Sequence, residues 1–328
     1  MEGLKLILDK FDRARVVILG DLIIDQYIWG KVSRISPEAP IPVVEVVRES
    51  FSLGGAANVA TNLRALGASV EICGIVGDDP HGEMLLGMLE EKGIDTRLVV
   101  KVSGRPTIMK TRIIAHKQQV VRVDREDTKL LEGELLDEMR GHLRETIPGV
   151  DALILEDYGK GVIQEGLLGE IVPMARELGK IVTVDPKRDH FDFYRGVTAI
   201  TPNRLEAEEA TGIRASDKEG LHEVGARLLQ RLQCEAVLIT MGDQGMCLFK
   251  EGEPPLQIPA RAREVYDVSG AGDTVIAVFT SALVAGATFR EAAMLSNVAG
   301  GLVVEKLGTA VVTREEIRAR MEQFAPLG

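Results

Sequence analysis

The chain has 328 residues, with 39 Lys plus Arg against 50 Asp plus Glu and a formal charge of −11. That acidic balance argues against non-specific attraction to nucleic acid or to an anionic membrane, and it obliges any anionic ligand to meet local positive groups. With 45% hydrophobic and 27% charged residues, the composition is that of an ordinary globular protein, and disorder as the main state is excluded.

No run of about 18 uncharged apolar residues occurs, and Met1-Glu-Gly-Leu-Lys5 lacks the basic-then-apolar order of a secretory signal, so a soluble cytoplasmic protein is expected. Along the chain, short β-branched runs alternate with helical patterns. The first strand is Arg15–Leu19, followed by the loop Gly20-Asp-Leu-Ile-Ile-Asp25. Ile41–Val47 alternates apolar with polar residues, and helix is expected over Ala56–Leu66 and Gly82–Lys92, with a strand at Ser69–Cys73 between them. Thr107–Ala115 and Val120–Asp124 alternate around the polar turn His116-Lys-Gln-Gln119. Strands at Ala152–Leu155, Ile181–Val184 and Ala236–Ile239 are then interleaved with helices at Gln164–Leu178 and Glu219–Leu232.

This rhythm predicts an α/β fold, a mostly parallel sheet with helices on both faces. The alternating segments within roughly 20–50 and 105–125 form a small second sheet, read either as a lid or dimer contact or as an ordinary edge hairpin. No repeat, low-complexity tract or linker divides the chain, so residues 1–328 are expected as a single domain. Cys73, Cys234 and Cys247 lie in apolar surroundings without CxxC spacing and are read as buried thiols, and the five histidines are read as surface or structural.

The most informative stretch is Tyr266-Asp-Val-Ser-Gly-Ala-Gly-Asp273 before the apolar Thr274–Thr280. Gly270 and Gly272 permit close backbone approach, and the unpaired N–H groups of a helix start suit an anion. Asp273 is read as a helix cap or as a base taking a proton from an attacking hydroxyl. Neither GxxxxGK[ST] nor a GxGxxG turn is present. Asp21 and Asp25 are placed after the first strand, where doubly wound sheets bind ligands, as carboxylates for sugar hydroxyls or as surface acids. Gly54-Gly55 with Asn58 opens a helix after a strand. Glu156-Asp-Tyr-Gly-Lys160 and Asp185-Pro-Lys187 each close a strand with an acid and a lysine, and the lysines are either solvated or set against an acidic mouth. Polar or glycine-rich turns after most strands, without a metal cage, point to phosphoryl transfer by positioning and electrostatics.

Gly54-Gly55…Asn58 and Asp267-Val-Ser-Gly-Ala-Gly-Asp273 resemble the two signatures of the ribokinase/PfkB carbohydrate kinases, in the family's order and over essentially the whole chain. Within that group, Ser33–Val43, Gly54–Ala60, Asp157-Tyr-Gly-Lys-Gly161, Glu264–Val268 and Lys306-Leu-Gly-Thr309 are most similar to the D-glycero-D-manno-heptose 7-phosphate kinases of lipopolysaccharide-core synthesis.

The resemblance implies a ribokinase-like fold with a small β-sheet lid. It implies transfer of the γ-phosphate of ATP to the anomeric hydroxyl, giving the 1,7-bisphosphate. Asp273 would be the base, and the amides of Gly270, Ala271 and Gly272 would hold the migrating group. Asp25, Gly54, Gly55 and Asn58 would hold the sugar. Asn203 and Glu206 match the NxxE element that organises Mg²⁺ through water. Thr240, Gly242, Gly245 and Asn297 would line the nucleotide pocket, with Lys160 and Lys187 as further nucleotide-side cations. Asp267 and Gly308 fall where many members take a monovalent cation such as K⁺. The substrate's 7-phosphate needs basic partners, and Arg34, Lys110, Arg112 and Arg122, in or beside the lid strands, are the candidates. A homodimer through the lid strands is expected, and a separate nucleotidyltransferase would complete the pathway. Leu53 stands where many family members have proline, and Glu156 stands where the heptose 7-phosphate kinase subfamily often has a small residue. The alternatives are a ribokinase- or fructokinase-like enzyme for an unphosphorylated sugar and a non-catalytic sugar or nucleotide sensor.

Overall fold

A computed structural model describes residues 2–116, 118–260, 265–306, 308 and 310–323. The turn His116–Gln119 and the motifs Glu264–Val268 and Lys306–Thr309 therefore each include a position (Lys117; Glu264; Leu307 and Thr309) outside the described residues. In chain order the strands are β1 (Arg15–Gly20), β2 (Leu22–Ile35), β3 (Pro42–Gly55), β4 (Ser69–Gly77), β5 (Asp95–Val102), β6 (Ile108–Ala115), β7 (Gln118–Arg125), β8 (Ala152–Glu156), β9 (Ile181–Asp185), β10 (Ala199–Ile200), β11 (Ala236–Thr240), β12 (Met246–Lys250) and β13 (Leu256–Ile258). The helices are α1 (Glu2–Leu8), α2 (Ala56–Ala65), α3 (Pro80–Glu91), α4 (Gly133–Thr146), α5 (Glu165–Glu177), α6 (Arg204–Thr211), α7 (Lys218–Leu232), α8 (Ala271–Val284), α9 (Phe289–Val303) and α10 (Arg314–Gln323).

Nine strands form the main sheet in the order β13-β12-β11-β10-β9-β8-β1-β4-β5, parallel from β5 to β11 and closed by two antiparallel strands. Alternate residues of β1 feed opposite cores, because successive side chains of a strand leave on opposite faces. Val16 and Ile18 pack with α2, α8 and α9, whereas Val17 and Leu19 pack with α4, α5 and α7. Both faces are thus covered, as a parallel sheet requires. The α/β reading of the sequence holds, and Cys73, Cys234 and Cys247 are buried and free.

The second, four-stranded sheet has the order β3-β2-β6-β7. Strand β2 corrects one expectation. Gly20–Asp25 is not a loop: from Leu22 the chain enters β2, which pairs with β3 from Leu22–Gly55 to Ile35–Pro42. Leu22, Ile23 and Ile24 are fully buried and drive the strand into the body, and beyond them β2 runs out toward solvent. Towards the tips of β2 and β3, Ile35, Val46 and Val47 are exposed, as is Ile41 in the turn between the two strands. Among the described residues no helix is long and apolar enough to cross a membrane.

Two buried charges fix the loops around the sheet's carboxyl edge. Asp21, wholly buried, accepts the N–H groups of Tyr158 (2.9 Å), Lys160 (3.0 Å) and Val162 (3.4 Å), so it anchors the loop after β8 from inside and does not lie at the surface. Arg105, also buried, donates to the carbonyls of Asp127 (2.6 Å), Lys129 (2.8 Å) and Lys160 (2.7 Å). Truncating it strands three acceptors, each costing on the order of 1 kcal/mol or more. Arg105→Met is expected to lower the unfolding free energy by about 2–4 kcal/mol, read from urea melts followed by circular dichroism.

Candidate active site

The register of the main sheet sets Gly20, Glu156 and Asp185 side by side at the carboxyl ends of β1, β8 and β9. This is the edge at which open parallel sheets leave a crevice for ligands. Over it lies the turn into α8. Gly270 caps that helix with φ +73°, and a Cβ there would sit 2.6 Å from Asn58 Nδ2, so both backbone angle and space demand glycine. Asp273 follows in the first helical turn, and from there to Ala282 every residue of α8 is buried, which fixes the turn rigidly.

Asp273 is not a helix cap. Its Oδ2 accepts the Asn58 amide at 2.5 Å and its Oδ1 lies 3.4 Å from the Tyr158 hydroxyl, which donates to it. Asn58 is itself held, since Asn62 Nδ2 donates to its carbonyl at 3.0 Å and Thr274 Oγ1 donates to Asn62 Oδ1 at 2.9 Å. Burial pushes the Asp273 carboxyl up to about 6, opposed by the bonds from Asn58 and Tyr158 that favour its charged form. The Ala271 N–H donates to the Val268 carbonyl at 3.2 Å, so of the three amides expected at this turn Ala271's is already engaged. Gly272, exposed at the second helical position, belongs to the first turn, whose N–H groups lack partners within the helix.

On one side of Asp273 lies the small sheet. Asp25 is in β2, opposite Lys110 of β6, and is ion-paired with Arg112 two residues further along β6. A Cβ on Gly54 would collide with Asp25 Oδ2, which is why glycine faces this carboxylate across the β2–β3 pair. Gly55 has φ +57° and turns the chain into α2. Arg112 also lies over the Tyr27 ring, 5.4 Å from its centre. Lys110 is 3.8 Å from Asp124, and Lys160 reaches Glu126 at 2.7 Å. Burial, and then the charge of Lys160, lower the Lys110 pKa against the pull of Asp124. Lys160 thus stands with the cations of the small sheet, and it does not line a cavity with Thr240, Gly242, Gly245 and Asn297, the residues with which it was grouped. Arg122 forks onto Asp124 at 2.9 and 3.1 Å. Arg34 is corrected outright. It lies exposed near the far end of β2, nine residues from Asp25, a separation of roughly 30 Å in an extended strand, and is not brought into this cleft within one chain.

On the other side, Thr240, Gly242, Gly245, Gly272 and Asn297 line one cavity of about 470 Å³ with Val268, Val275 and Val304. Asn297 is buried and donates to the Pro259 carbonyl at 2.7 Å, so its amide shapes the wall. Asn203 and Glu206 form a capping box at the start of α6: Glu206 N–H donates to Asn203 Oδ1 at 3.0 Å, and Asn203 N–H to Glu206 Oε2 at 2.8 Å. Burial raises the Glu206 pKa, while Asn203 and the charge of Lys187 oppose the rise. Asp267 accepts the N–H of Ser269 at 2.9 Å and that of Gly308 at 3.1 Å, which joins the two residues expected at a monovalent-cation position.

Sequence reasoning missed three participants. Tyr158 was passed over inside a recognised loop, Asp185 was noted only as a strand-closing acid, and Glu156 was a departure without a role. Glu156, Asp185 and Asp273 each present a carboxylate oxygen within 4.8 Å of the other two. Glu156 is fully buried, and neither of its oxygens has a hydrogen-bond partner among the described residues. Burial, reinforced by Asp185 and then Asp273, holds its carboxyl well above the usual range. An oxygen-only, acid-rich setting of this kind fits a hard divalent cation such as Mg²⁺.

Above about pH 6 Asp273 is a carboxylate, and below it a neutral acid. In EDTA-treated protein, ¹³C NMR of labelled aspartate should show this carboxyl titrating near pH 6, assigned by its loss in Asp273→Asn. Asn58→Leu removes the bond that favours the charged form and should move the midpoint upward; an unchanged midpoint would refute the assignment.

Residues 13–316 match the profile described as pfkB family carbohydrate kinase. The chain is 44% identical over 312 residues to "Bifunctional protein HldE" of Desulfatibacillum aliphaticivorans and 45% identical over 312 residues to the protein of that name from Wolinella succinogenes. Each match covers 95% of this chain, which spans 64% and 65% of the two relatives' lengths. Among solved structures it is similar to phosphofructokinase-2 from Escherichia coli in complex with substrates and products (TM-score 0.78, 16% identity, 95% of this chain and 99% of that one). It is likewise similar to Arabidopsis thaliana ribokinase complexed with ribose and ATP (TM-score 0.74, 20% identity, 94% and 98%). With a glycine turn, a buried carboxylate and a cavity beside it, and a family match along nearly its whole length, the chain belongs to the pfkB family of carbohydrate kinases.

Proposed function

We propose that the chain transfers the γ-phosphoryl group of ATP to the anomeric hydroxyl of D-glycero-D-manno-heptose 7-phosphate, giving the 1,7-bisphosphate used in ADP-heptose synthesis. The observation that carries this reading is the placement of Asp273, buried and fixed by Asn58, with an apolar cavity beside its turn and a cation-bearing cleft beyond Asp25. ATP would place its base in the cavity lined by Thr240 and Asn297 and its γ-phosphate at the Gly272 turn. Asp25 would accept sugar hydroxyls, with Arg112 holding that carboxylate in place. Asp273 Oδ takes the proton of the attacking hydroxyl as its oxygen forms the new bond to phosphorus, and the bond from phosphorus to the ADP oxygen breaks. Mg²⁺, with Asn203 and Glu206 acting through water, would neutralise phosphate charge. Lys110 and Lys160, partly buried and paired with Asp124 and Glu126, are the side chains that would hold the distal phosphate of the sugar. Asp267 and Gly308 would belong to a K⁺ position. Exposed Ile35, Ile41, Val46 and Val47 support a homodimer through the small sheet.

Asp273→Asn should lower kcat by about 10²–10⁴-fold or more while ATP binding, measured by calorimetry, is retained. A protein without turnover to lose would be a sensor. ³¹P NMR should show a new phosphate at C1 of heptose 7-phosphate. Lys110→Met and Lys160→Met should each raise KM for the phosphosugar by about tenfold with KM for ATP unchanged. Faster turnover of free ribose or fructose than of heptose 7-phosphate would reject the substrate assignment.

A further inference from the structure

Glu156 is the one fully buried carboxylate at the carboxyl edge whose two oxygens meet neither a donor nor a cation among the described residues. A buried carboxylate without donors is costly, so the group calls for a proton or a positive ion. Its neighbours decide which. Asp185 stands beside it in register at the end of β9, and Asp273 faces both from α8. Oxygens of the three lie within 4.8 Å of one another, so a point exists no further than about 2.8 Å from all of them, close to the reach of an oxygen-ligated divalent ion. One proton relieves one of three converging negative charges, whereas a divalent ion relieves two and bonds to each. The turn closes the site from above, since a Cβ on Gly272 would come within 3.3 Å of Asp185 Oδ2.

We propose that Glu156 and Asp185 are direct ligands of a divalent cation of the Mg²⁺ or Mn²⁺ type, held by the protein before any nucleotide arrives, with Asp273 at the third corner. The ion lies between the strand ends and the Gly270–Gly272 turn. Its position is distinct from the Asn203–Glu206 pair, whose side chains are engaged in capping α6. Glu156 then has a role that a small residue at its position cannot supply, and the acid that departs from the subfamily's pattern creates a resident cation site in this chain.

The test is Mn²⁺ titration of the EDTA-treated full chain without nucleotide or sugar, with free Mn²⁺ read by electron paramagnetic resonance. One bound ion is expected, with a dissociation constant below about 1 mM, displaced by Mg²⁺ but not by K⁺. Glu156→Gln, which keeps shape and removes one like charge, and independently Asp185→Asn should each weaken binding by at least about tenfold, and both should melt in EDTA no lower than the unsubstituted chain. Absence of binding before nucleotide is added, or equal affinity in the unsubstituted chain and Glu156→Gln, overturns the proposal in favour of a protonated Glu156. The assay contains no substrate, so such a failure leaves the phosphotransfer reading untouched.

Discussion

The site depends on one hydrogen bond, from Asn58 to Asp273, which joins residues 215 positions apart in the chain at 2.5 Å. It crosses between α2 and α8, two helices that pack on the same face of the main sheet. In a buried setting an amide that donates to a carboxylate is stronger than in water and costly to leave unmade, so the bond fixes the rotation of both helices. The Asn62–Thr274 bond one turn further along repeats the tie. Gly270 is forced by the same bond, because any side chain there would displace the Asn58 amide. The glycine turn, Asp273 and Asn58 are therefore one mechanical unit.

The small sheet brings the Asp25–Arg112 ion pair to that unit. Because β2 begins two residues after β1 ends, Asp25 is carried directly from the sheet's edge into the lid-like strands, and Arg112 of β6 holds it there. Lys110, Arg122 and Lys160 are balanced by Asp124 and Glu126 on or just beyond β7. In a chain of net charge −11, such paired cations give a local site where an anion can exchange with a carboxylate without exposing a bare positive cluster.

The main sheet was legible because continuous apolar runs such as Ala152–Leu155 admit few other structures, and the glycine turns were legible because their residue types are restricted by backbone angle. What escaped was orientation. Asp21 and Asp25 are four residues apart after the same strand, yet one anchors a loop from inside and the other faces the cleft, since β2 had been read as a loop. Lys160 changed sides for a similar reason: its strand end was known, but the direction of its side chain follows from Arg105 and Asp21 clamping its loop. Arg34 looked close to Lys110 by shared membership of one sheet, whereas the fourteen-residue length of β2 carries it away.

An acidic crevice is an unusual receiver for the triphosphate and phosphosugar proposed as its ligands. Glu156, Asp185 and Asp273 converge from three elements, with Glu206 near enough to raise the Asp185 pKa after burial itself. Left uncompensated, this arrangement repels the ligands that the Gly272 turn and the lysines would attract, and it raises the pKa of its own carboxyls. Acids placed so close together are useful only if positive charge is gathered among them, because the same oxygens that disfavour bare phosphate are those a hard cation needs. Asp273 is spared from full compensation by geometry: Asn58 and Tyr158 already occupy both its oxygens, whereas Glu156 has no such partners among the described residues. The division of labour among three similar side chains is thus set by which of them the surrounding polypeptide satisfies.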